Sequence, residues 1–288
     1  MRATVSSGAR IRRGFIDIAE GQVHYREAGR RMAGTPPLLL IHASPGSSLM
    51  LEPLLREFGK FRHVIATDTL GNGDSSAPAG DAVTLAALAD AHLRALDTLG
   101  IGRFDLYGTH TGASIASEIA ISQPGRVRSL VLDGIGLYAP EEQAELLEHY
   151  VPGISIDQNG SQLLQIWSFV RDAYLFWPWY RKDKAHRRPT GLPDADTLHD
   201  KVVEVLKAAR SFHLSYRAAL GHDKRARLPL VPVPTLLTCA ADDMLYEYLD
   251  AVHALMPHAR CAAHHGTGTP ENLARTVALF ERHFSEKP

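Results

Sequence analysis

Short apolar runs recur along the chain, and most are followed by a segment with the apolar spacing of a helix. The runs at 38–41 and 64–66 are uninterrupted, which is typical of strands buried on both faces of a parallel sheet, and 127–132 is predicted as a further strand. Segment 84–99 has apolar residues three and four positions apart, starts with a threonine and is followed by a glycine, which predicts a capped helix. Strands that alternate with helices predict an α/β fold, in which helices cover both faces of a mostly parallel central sheet.

The alternation of strands and helices stops once, between the run that ends at 132 and the next predicted strand at 233–238. The intervening residues have helical spacing and several aromatic side chains, which predicts a helical lid inserted into the core. The predicted segments are a first part of the core at 1–138, the lid at 139–224 and a second part of the core at 225–288. Aromatic residues at helical spacing pack as the lid's own core or line an apolar substrate pocket. The lid candidates for such a pocket are Trp167, Trp177 and Tyr180.

Composition and charge exclude several classes of protein. The 288 residues carry a net charge of −1, with 31 basic against 32 acidic residues, so a dedicated nucleic-acid binder is not expected. The longest apolar run, 36–41, is far shorter than the roughly 20 residues that a membrane-spanning helix needs, so no membrane association is expected. The two cysteines, Cys239 and Cys261, cannot form a disulfide framework and suit a reducing compartment, which predicts a cytoplasmic protein.

A glycine–histidine–glycine pattern lies between a predicted strand and a predicted helix. Gly108 and Gly112 stand two positions on either side of His110. A sharp turn requires glycines at these places, because a side chain would clash with the neighbouring strand or helix. The strand–Gly-x-X-x-Gly–helix arrangement is similar to the nucleophile elbow of the α/β-hydrolase superfamily. The resemblance extends from about residue 15 to residue 284, and it implies the α/β-hydrolase fold.

Two further loops resemble loops of the same superfamily. Residues 42–46, His-Ala-Ser-Pro-Gly, are similar to the family's His-Gly-x-Pro-Gly loop, with an alanine in place of the usual glycine. Residues 68–75 are similar to its Asp-x-x-Gly-x-Gly-x-Ser loop, which is structural in most members. The resemblance implies an oxyanion hole formed by the backbone N–H groups of Ser44 and Thr111. We include His42, from the first loop, among the candidate residues of the substrate pocket.

His110 occupies the elbow position at which the family usually has serine, and less often cysteine or aspartate. The serine mechanism therefore does not transfer to this chain. Three roles are open for His110: a nucleophile that forms an acyl-imidazole, a general acid or base, or the relic of a lost site. Imidazole titrates near neutral pH and the oxyanion loop is intact, so we favour catalysis, with acid/base use ahead of covalent use.

The resemblance also implies an acid and a second histidine, in the family's chain order of elbow, acid and histidine. The acid follows the strand predicted at 233–238, or the preceding strand in some members. The candidates for the acid are, in order of preference, Asp243, Asp242 and Asp133. The second histidine follows the last predicted strand. The candidates for its position are His265, His264 and Thr269, the last of which would leave no histidine there.

The resemblance implies a hydrolase that acts on a small, largely apolar carbonyl compound by cleaving an ester, a lactone or a C–C bond. The missing serine also favours chemistry that needs a base and an oxyanion hole, such as elimination, decarboxylation or another lyase reaction. The alternative outside catalysis is an inactive member that binds a ligand. The sequence has neither a nucleotide-binding glycine motif nor metal-ligand spacing, so we expect no cofactor and no metal. The expected partner is a small-molecule substrate, and a homodimer is compatible with an enzyme of this size.

Overall fold

An eight-stranded sheet forms the centre of the residues that the computed structural model describes, which are 9–80, 83–151 and 153–286. The strands in chain order are β1 (Arg12–Ile18), β2 (Gly21–Ala28), β3 (Leu38–Ile41), β4 (Val64–Thr67), β5 (Phe104–Thr109), β6 (Val127–Asp133), β7 (Thr235–Thr238) and β8 (Arg260–Cys261). Their order across the sheet is β1-β2-β4-β3-β5-β6-β7-β8. The β1–β2 and β2–β4 pairs are antiparallel, and all neighbours from β4 to β8 are parallel. The α/β fold predicted from the sequence is confirmed.

Helices cover both faces of this sheet. They are α1 (Glu52–Phe58), α2 (Leu85–Thr98), α3 (Thr111–Ser122), α4 (Pro140–His149), α5 (Ser161–Leu175), α6 (Ala195–Lys207), α7 (Phe212–Leu220), α8 (Lys224–Arg227), α9 (Leu249–Leu255) and α10 (Pro270–Ser285). Alternate residues of β3 enter opposite clusters, because successive side chains of a strand point to opposite faces. Leu40 packs with α1 and α10, whereas Leu39 packs with α2, α3 and α9. None of the described helices has the length and apolar character required to span a bilayer.

The helices α4–α8 lie between β6 and β7; α4–α7 fall within the segment predicted as a lid, and α8 begins at its last residue. Their buried residues form a cluster of their own, which includes Tyr150, Phe169 and Phe212. Trp177 and Tyr180 are partly buried against this cluster. The aromatic residues of the insertion therefore form mainly its own core, which was one of the two interpretations of their spacing.

The strand that leads to the glycine–histidine–glycine turn begins at a buried charge cluster. Asp105 in β5 is fully buried and accepts hydrogen bonds from Arg62 and Arg128. Arg62 is also buried, and its next carboxylate partner, Glu281, lies farther away at 3.4 Å. Loss of one partner from a buried ion pair leaves an uncompensated charge, which is costly. Asp105 therefore anchors the start of β5 by holding the Arg62 charge.

Asp105→Ala is expected to lower the free energy of unfolding by about 3–5 kcal/mol, because it leaves the Arg62 guanidinium buried without its main partner. Urea unfolding followed by circular dichroism measures the change. The matched control is Asp97→Ala, since Asp97 is 60% exposed and pairs with Arg126 at the surface, where little change is expected. A loss at Asp105 no larger than the loss at Asp97 would contradict this role.

Candidate active site

The turn between β5 and α3 holds His110 in an unusual backbone conformation. Its φ of 53° and ψ of −113° make it the one non-glycine residue with positive φ in the described part of the chain. A Cβ at Gly108 would lie 2.2 Å from the carbonyl oxygen of Gly112, and a Cβ at Gly112 would lie 2.3 Å from that of Ile41. A non-glycine residue held in this backbone conformation, such as His110, costs about 1–3 kcal/mol, and residues of this kind are concentrated at functional sites. The glycines are therefore required by close backbone contacts, and they present the His110 side chain at the carboxyl edge of the sheet.

His110 is paired with Asp243, which follows β7. The distance from His110 Nε2 to Asp243 Oδ2 is 3.0 Å, and the backbone N–H of Leu245 donates to Asp243 Oδ1 at 2.8 Å. Burial alone raises the pKa of Asp243, but the charge and hydrogen bond of His110 and the Leu245 N–H lower this pKa to about 2. Asp243 is therefore an ionised carboxylate at neutral pH.

The ionised carboxylate determines which nitrogen of His110 carries the proton. A carboxylate without a proton accepts hydrogen bonds and cannot donate, so His110 Nε2 must be the donor. Nδ1 has no hydrogen-bond partner among the described residues, and the side chain is 26% exposed. Burial lowers the pKa of His110, but the charge and hydrogen bond of Asp243, with the charge of Asp133, together raise it above its usual value. His110 therefore offers Nδ1 as a base of increased strength.

A second histidine–aspartate pair lies beside the first. His264 Nε2 lies 3.0 Å from Asp133 Oδ1, and the Tyr107 hydroxyl donates to Asp133 Oδ2 at 2.6 Å. The backbone N–H of Gly266 donates to His264 Nδ1 at 3.0 Å, so both ring nitrogens of His264 are occupied. Asp133 and His264 are buried, and both line a cavity with His110 and Asp243. The second pair thus connects the end of β6 to the segment after β8. Both ring nitrogens of the His264 imidazole are used in hydrogen bonds.

The structure places His264, and not the preferred His265, in the interior. The His264 backbone bridges to Ala240, which continues the β7–β8 pairing, and this turns its side chain inward. Adjacent residues of an extended segment point to opposite sides, so the His265 side chain is exposed. This corrects the first choice for the histidine position. Asp242 is likewise exposed beside Asp243, and Thr269 caps α10 by accepting from the Asn272 N–H at 3.2 Å.

Three of the four predicted pocket residues lie elsewhere, which corrects the pocket prediction. His42 is fully buried, donates through Nδ1 to the Ala43 carbonyl and accepts from the Thr69 N–H at Nε2. Trp167 is 40% exposed on α5. Tyr180 lines an outer cavity and donates to Glu145. Trp177 does line a cavity with His110, as predicted.

His110 lines two cavities beneath the inserted helices, as well as the cavity that it shares with Asp133. The larger has a volume of about 190 Å³ and a wall of aromatic and apolar side chains. Besides residues predicted from the sequence, the lining of this cavity includes Phe169, Arg188, Tyr216 and Met244. The narrower has a volume of about 40 Å³ and extends to Lys224. Nothing in the sequence pattern pointed to Arg188, Met244 or Lys224. Arg188 and Lys224 are charged residues of the insertion, and such residues are normally solvent-exposed. Met244 lies in the segment that follows β7.

Ser44 and Thr111, the predicted oxyanion donors, each line a cavity together with His110. Ser44 lines the larger cavity with His110, and its hydroxyl is bonded to that of Ser215 at 2.9 Å. Thr111 lines the narrower cavity with His110 and is the first residue of α3. The N–H groups of a first helical turn have no partner within the helix. The oxyanion role of these two N–H groups stays a prediction.

Potential metal ligands cluster at one place in the described residues, which is His24, Asp68 and Asp74. Asp68 there already accepts from His24, from the Ser48 N–H and from the Asp74 N–H. None of the three lines the cavities described above. The arrangement at His110 is thus an imidazole–carboxylate pair beside apolar cavities.

The chain belongs to the α/β hydrolase fold family, because the family model of that description matches residues 36–266. Relatives include a 2-hydroxymuconate semialdehyde hydrolase of Pseudomonas sp. (strain CF600), which is 36% identical over 141 residues, or 47% of this chain and 49% of the relative. An uncharacterized hydrolase of Saccharomyces cerevisiae is 32% identical over 124 residues, or 43% of this chain and 42% of the relative. The chain thus matches under half the length of these relatives.

Solved structures share the fold over nearly the whole chain. The enol-lactonase from Burkholderia xenovorans LB400 has a TM-score of 0.73 and 18% identity, and the match covers 95% of this chain and 100% of the lactonase. An E-2-(acetamidomethylene)succinate hydrolase has a TM-score of 0.71 and 20% identity, with 96% of this chain and 100% of the hydrolase covered. At these identities the likeness establishes the fold, and the activity of this chain has to be argued from its own site.

Asp243→Asn is expected to lower the pKa of His110, because the amide removes the negative charge that stabilises the imidazolium. NMR titration of the His110 ring resonances in wild type and variant measures this pKa. The matched control is Asp242→Asn, since the exposed neighbour makes no contact with His110 and should leave the titration unchanged. An unchanged His110 titration in Asp243→Asn would contradict the pairing.

Proposed function

We propose that this chain is a cofactor-free hydrolase of a small, largely apolar carbonyl compound, and that His110 is its general base. The observation that carries the proposal is the 3.0 Å hydrogen bond from His110 Nε2 to Asp243, which leaves Nδ1 without a partner on a side chain that lines both cavities. The family assignment and the named hydrolases among the relatives support the class of reaction. General bases of this kind contribute roughly 10²–10⁴-fold to a rate.

The proposed reaction begins when His110 Nδ1 removes a proton from a water molecule while the water oxygen attacks the substrate carbonyl carbon. The resulting imidazolium is stabilised by the Asp243 carboxylate, as in a triad. The backbone N–H groups of Ser44 and Thr111 would bind the oxyanion that develops on the carbonyl oxygen. Collapse of the tetrahedral intermediate then breaks the bond to the leaving group, which takes the proton back from Nδ1.

A general base fits the surroundings of His110 better than a nucleophile does. A covalent acyl-imidazole would form at Nδ1, since Nε2 is engaged by Asp243, and the base would then be consumed. His264 could not replace it, because Gly266 and Asp133 occupy both of its ring nitrogens. Direct attack by water needs one free ring nitrogen, and His110 has one.

The lining of the larger cavity supports a largely apolar substrate. Phe169, Val170 and Met244 contribute apolar surface, and Arg188 contributes a cation with no carboxylate within ion-pair distance among the described residues. The relatives named for a semialdehyde and for an enol-lactone act on small carbonyl compounds, which is consistent with a cavity of about 190 Å³. The same unpaired base could remove a proton from carbon, so a lyase reaction is the second candidate.

We also propose the cytoplasm as the location of the enzyme, because both Cys239 and Cys261 are free thiols. The homodimer stays a prediction that light scattering of the purified chain would test.

His110→Ala is expected to lower kcat/KM by at least about 10²-fold, because it removes the base without altering the glycine frame. The measurement is a panel of p-nitrophenyl esters, lactones and β-diketones, with products identified by mass spectrometry and hydrolysis by ¹⁸O transfer from labelled water. His265→Ala is the matched control, since that exposed histidine should be dispensable.

Activity of His110→Ala within twofold of wild type would contradict the proposal. A product without ¹⁸O would favour the lyase reaction. An acylated wild-type protein, seen as a mass increase during turnover, would show that His110 is a nucleophile and not a base.

A further inference from the structure

A buried lysine closes the narrower of the two cavities beneath the inserted helices. Lys224, the first residue of α8, is buried and lines this cavity together with His110, Trp177 and Tyr216. Its ammonium donates a hydrogen bond of 2.6 Å to the carbonyl oxygen of Ala219, which also lines the cavity. The reaction proposed above makes no use of this group.

Lys224 differs from the other buried cations in having no counter-charge. Arg26, Arg62 and Lys224 are the buried lysine and arginine side chains among the described residues. Arg26 pairs with Glu52 and Arg62 with Asp105, whereas no carboxylate of the described chain lies within ion-pair distance of Lys224. The neighbouring Asp223 is exposed, and its carboxylate accepts instead from the Ala226 N–H at 3.0 Å. A buried charge without a partner is unfavourable unless a ligand supplies the opposite charge.

The pKa of Lys224 is consistent with the absence of a counter-charge. Burial lowers the pKa of Lys224 to about 8, with no contribution from a neighbouring charge. The amine is still mostly protonated at neutral pH. An anion bound next to it would restore the usual preference for the charged form.

The size of the cavity limits the anion that could bind there. A volume of about 40 Å³ has room for about three water molecules, which is the space of the three heavy atoms of a carboxylate group. Trp177 and Tyr138 enclose the space between Lys224 and His110 with aromatic surface. A short apolar chain that ends in a carboxylate therefore matches both the lining and the charge.

We propose that Lys224 binds a carboxylate of the substrate, so that the enzyme acts on small carbonyl compounds that carry a carboxylate on a short apolar chain. The inference rests on the proposed function for the statement that the ligand is a substrate. Lys224 is then a specificity-determining residue, which holds one end of the molecule while the carbonyl group lies at His110.

A purely structural role for Lys224 makes a different prediction. Ala219 lies in the last turn of α7, where carbonyl groups lack a partner within the helix and cations are favourable. Replacing a lysine that served only as a cap would change stability, but it would not change the preference between an anion and a neutral molecule of the same shape.

The test compares butyrate with butyramide, which differ in charge and hardly in shape. Saturation-transfer NMR with the full-length protein measures the dissociation constant of each probe, without any need for turnover. Wild type is expected to bind butyrate at least tenfold more tightly than butyramide. Lys224→Met, which keeps the length and removes the charge, is expected to reduce this ratio to about one. The exposed Lys184→Met is the matched control and should keep the wild-type ratio.

His110→Ala separates this inference from the proposed function, because the variant lacks the base but should keep the preference for butyrate. Turnover that depends on His110, together with equal binding of the two probes, would overturn the Lys224 site alone. The site would also be overturned by the absence of binding, by a preference that survives in Lys224→Met, or by a preference that Arg188→Met abolishes and Lys224→Met does not.

Discussion

The hydrogen bond between His110 Nε2 and the Asp243 carboxylate is the contact on which the candidate site depends. It joins the residue after β5 to the segment after β7, across the end of β6. Gly134, which follows β6, makes room for it, because a Cβ there would lie 2.9 Å from His110 Cδ2. Residues that follow β5, β6 and β7 thus meet at the His110 imidazole. The strained backbone of His110 lies in a close-packed turn, in which Gly108 and Gly112 have no room for a side chain.

A histidine at the elbow makes the arrangement of imidazole and acid different from that of a serine triad. In a serine triad the imidazole stands between the nucleophile and the acid. Here the elbow residue is itself the imidazole, and it reaches the acid directly. Because His110 already pairs with the Asp243 carboxylate, His264 from the segment after β8 does not pair with Asp243. It pairs with Asp133 instead. The elbow has no hydroxyl nucleophile, which is the reason that water is the attacking group in the proposed reaction.

Strong local signals explain which parts of the fold could be predicted. The uninterrupted run 38–41 became β3 with the same bounds, and all four of its residues are buried. Thr84 caps α2 by accepting from the Ala87 N–H, as its position indicated. The Gly108-x-His110-x-Gly112 turn could be identified because close backbone contacts require its glycines, whereas Asp243 was preferred from its resemblance to the family's acid position.

The remaining parts of the site depend on side-chain direction, which spacing does not determine. The choice between His264 and His265 depended on where β8 pairing ends, and a shift of one residue exchanges the inward and outward side chains. His42 has the residue type of a pocket group, but its two ring nitrogens are engaged by the backbone. Arg188 lies in the connection between α5 and α6, and Lys224 is the first residue of α8; tertiary packing alone brings them to the cavities.

The proposed role of His110 depends on Asp243, which holds its ring in the tautomer that leaves Nδ1 free for chemistry. ¹⁵N NMR of histidine-labelled protein, recorded above the pKa of His110, reports directly which ring nitrogen carries the proton. We expect a proton on Nε2 and a nitrogen lone pair on Nδ1. A neutral ring with the proton on Nδ1 would contradict this role, because the base would then face the carboxylate and not the cavity.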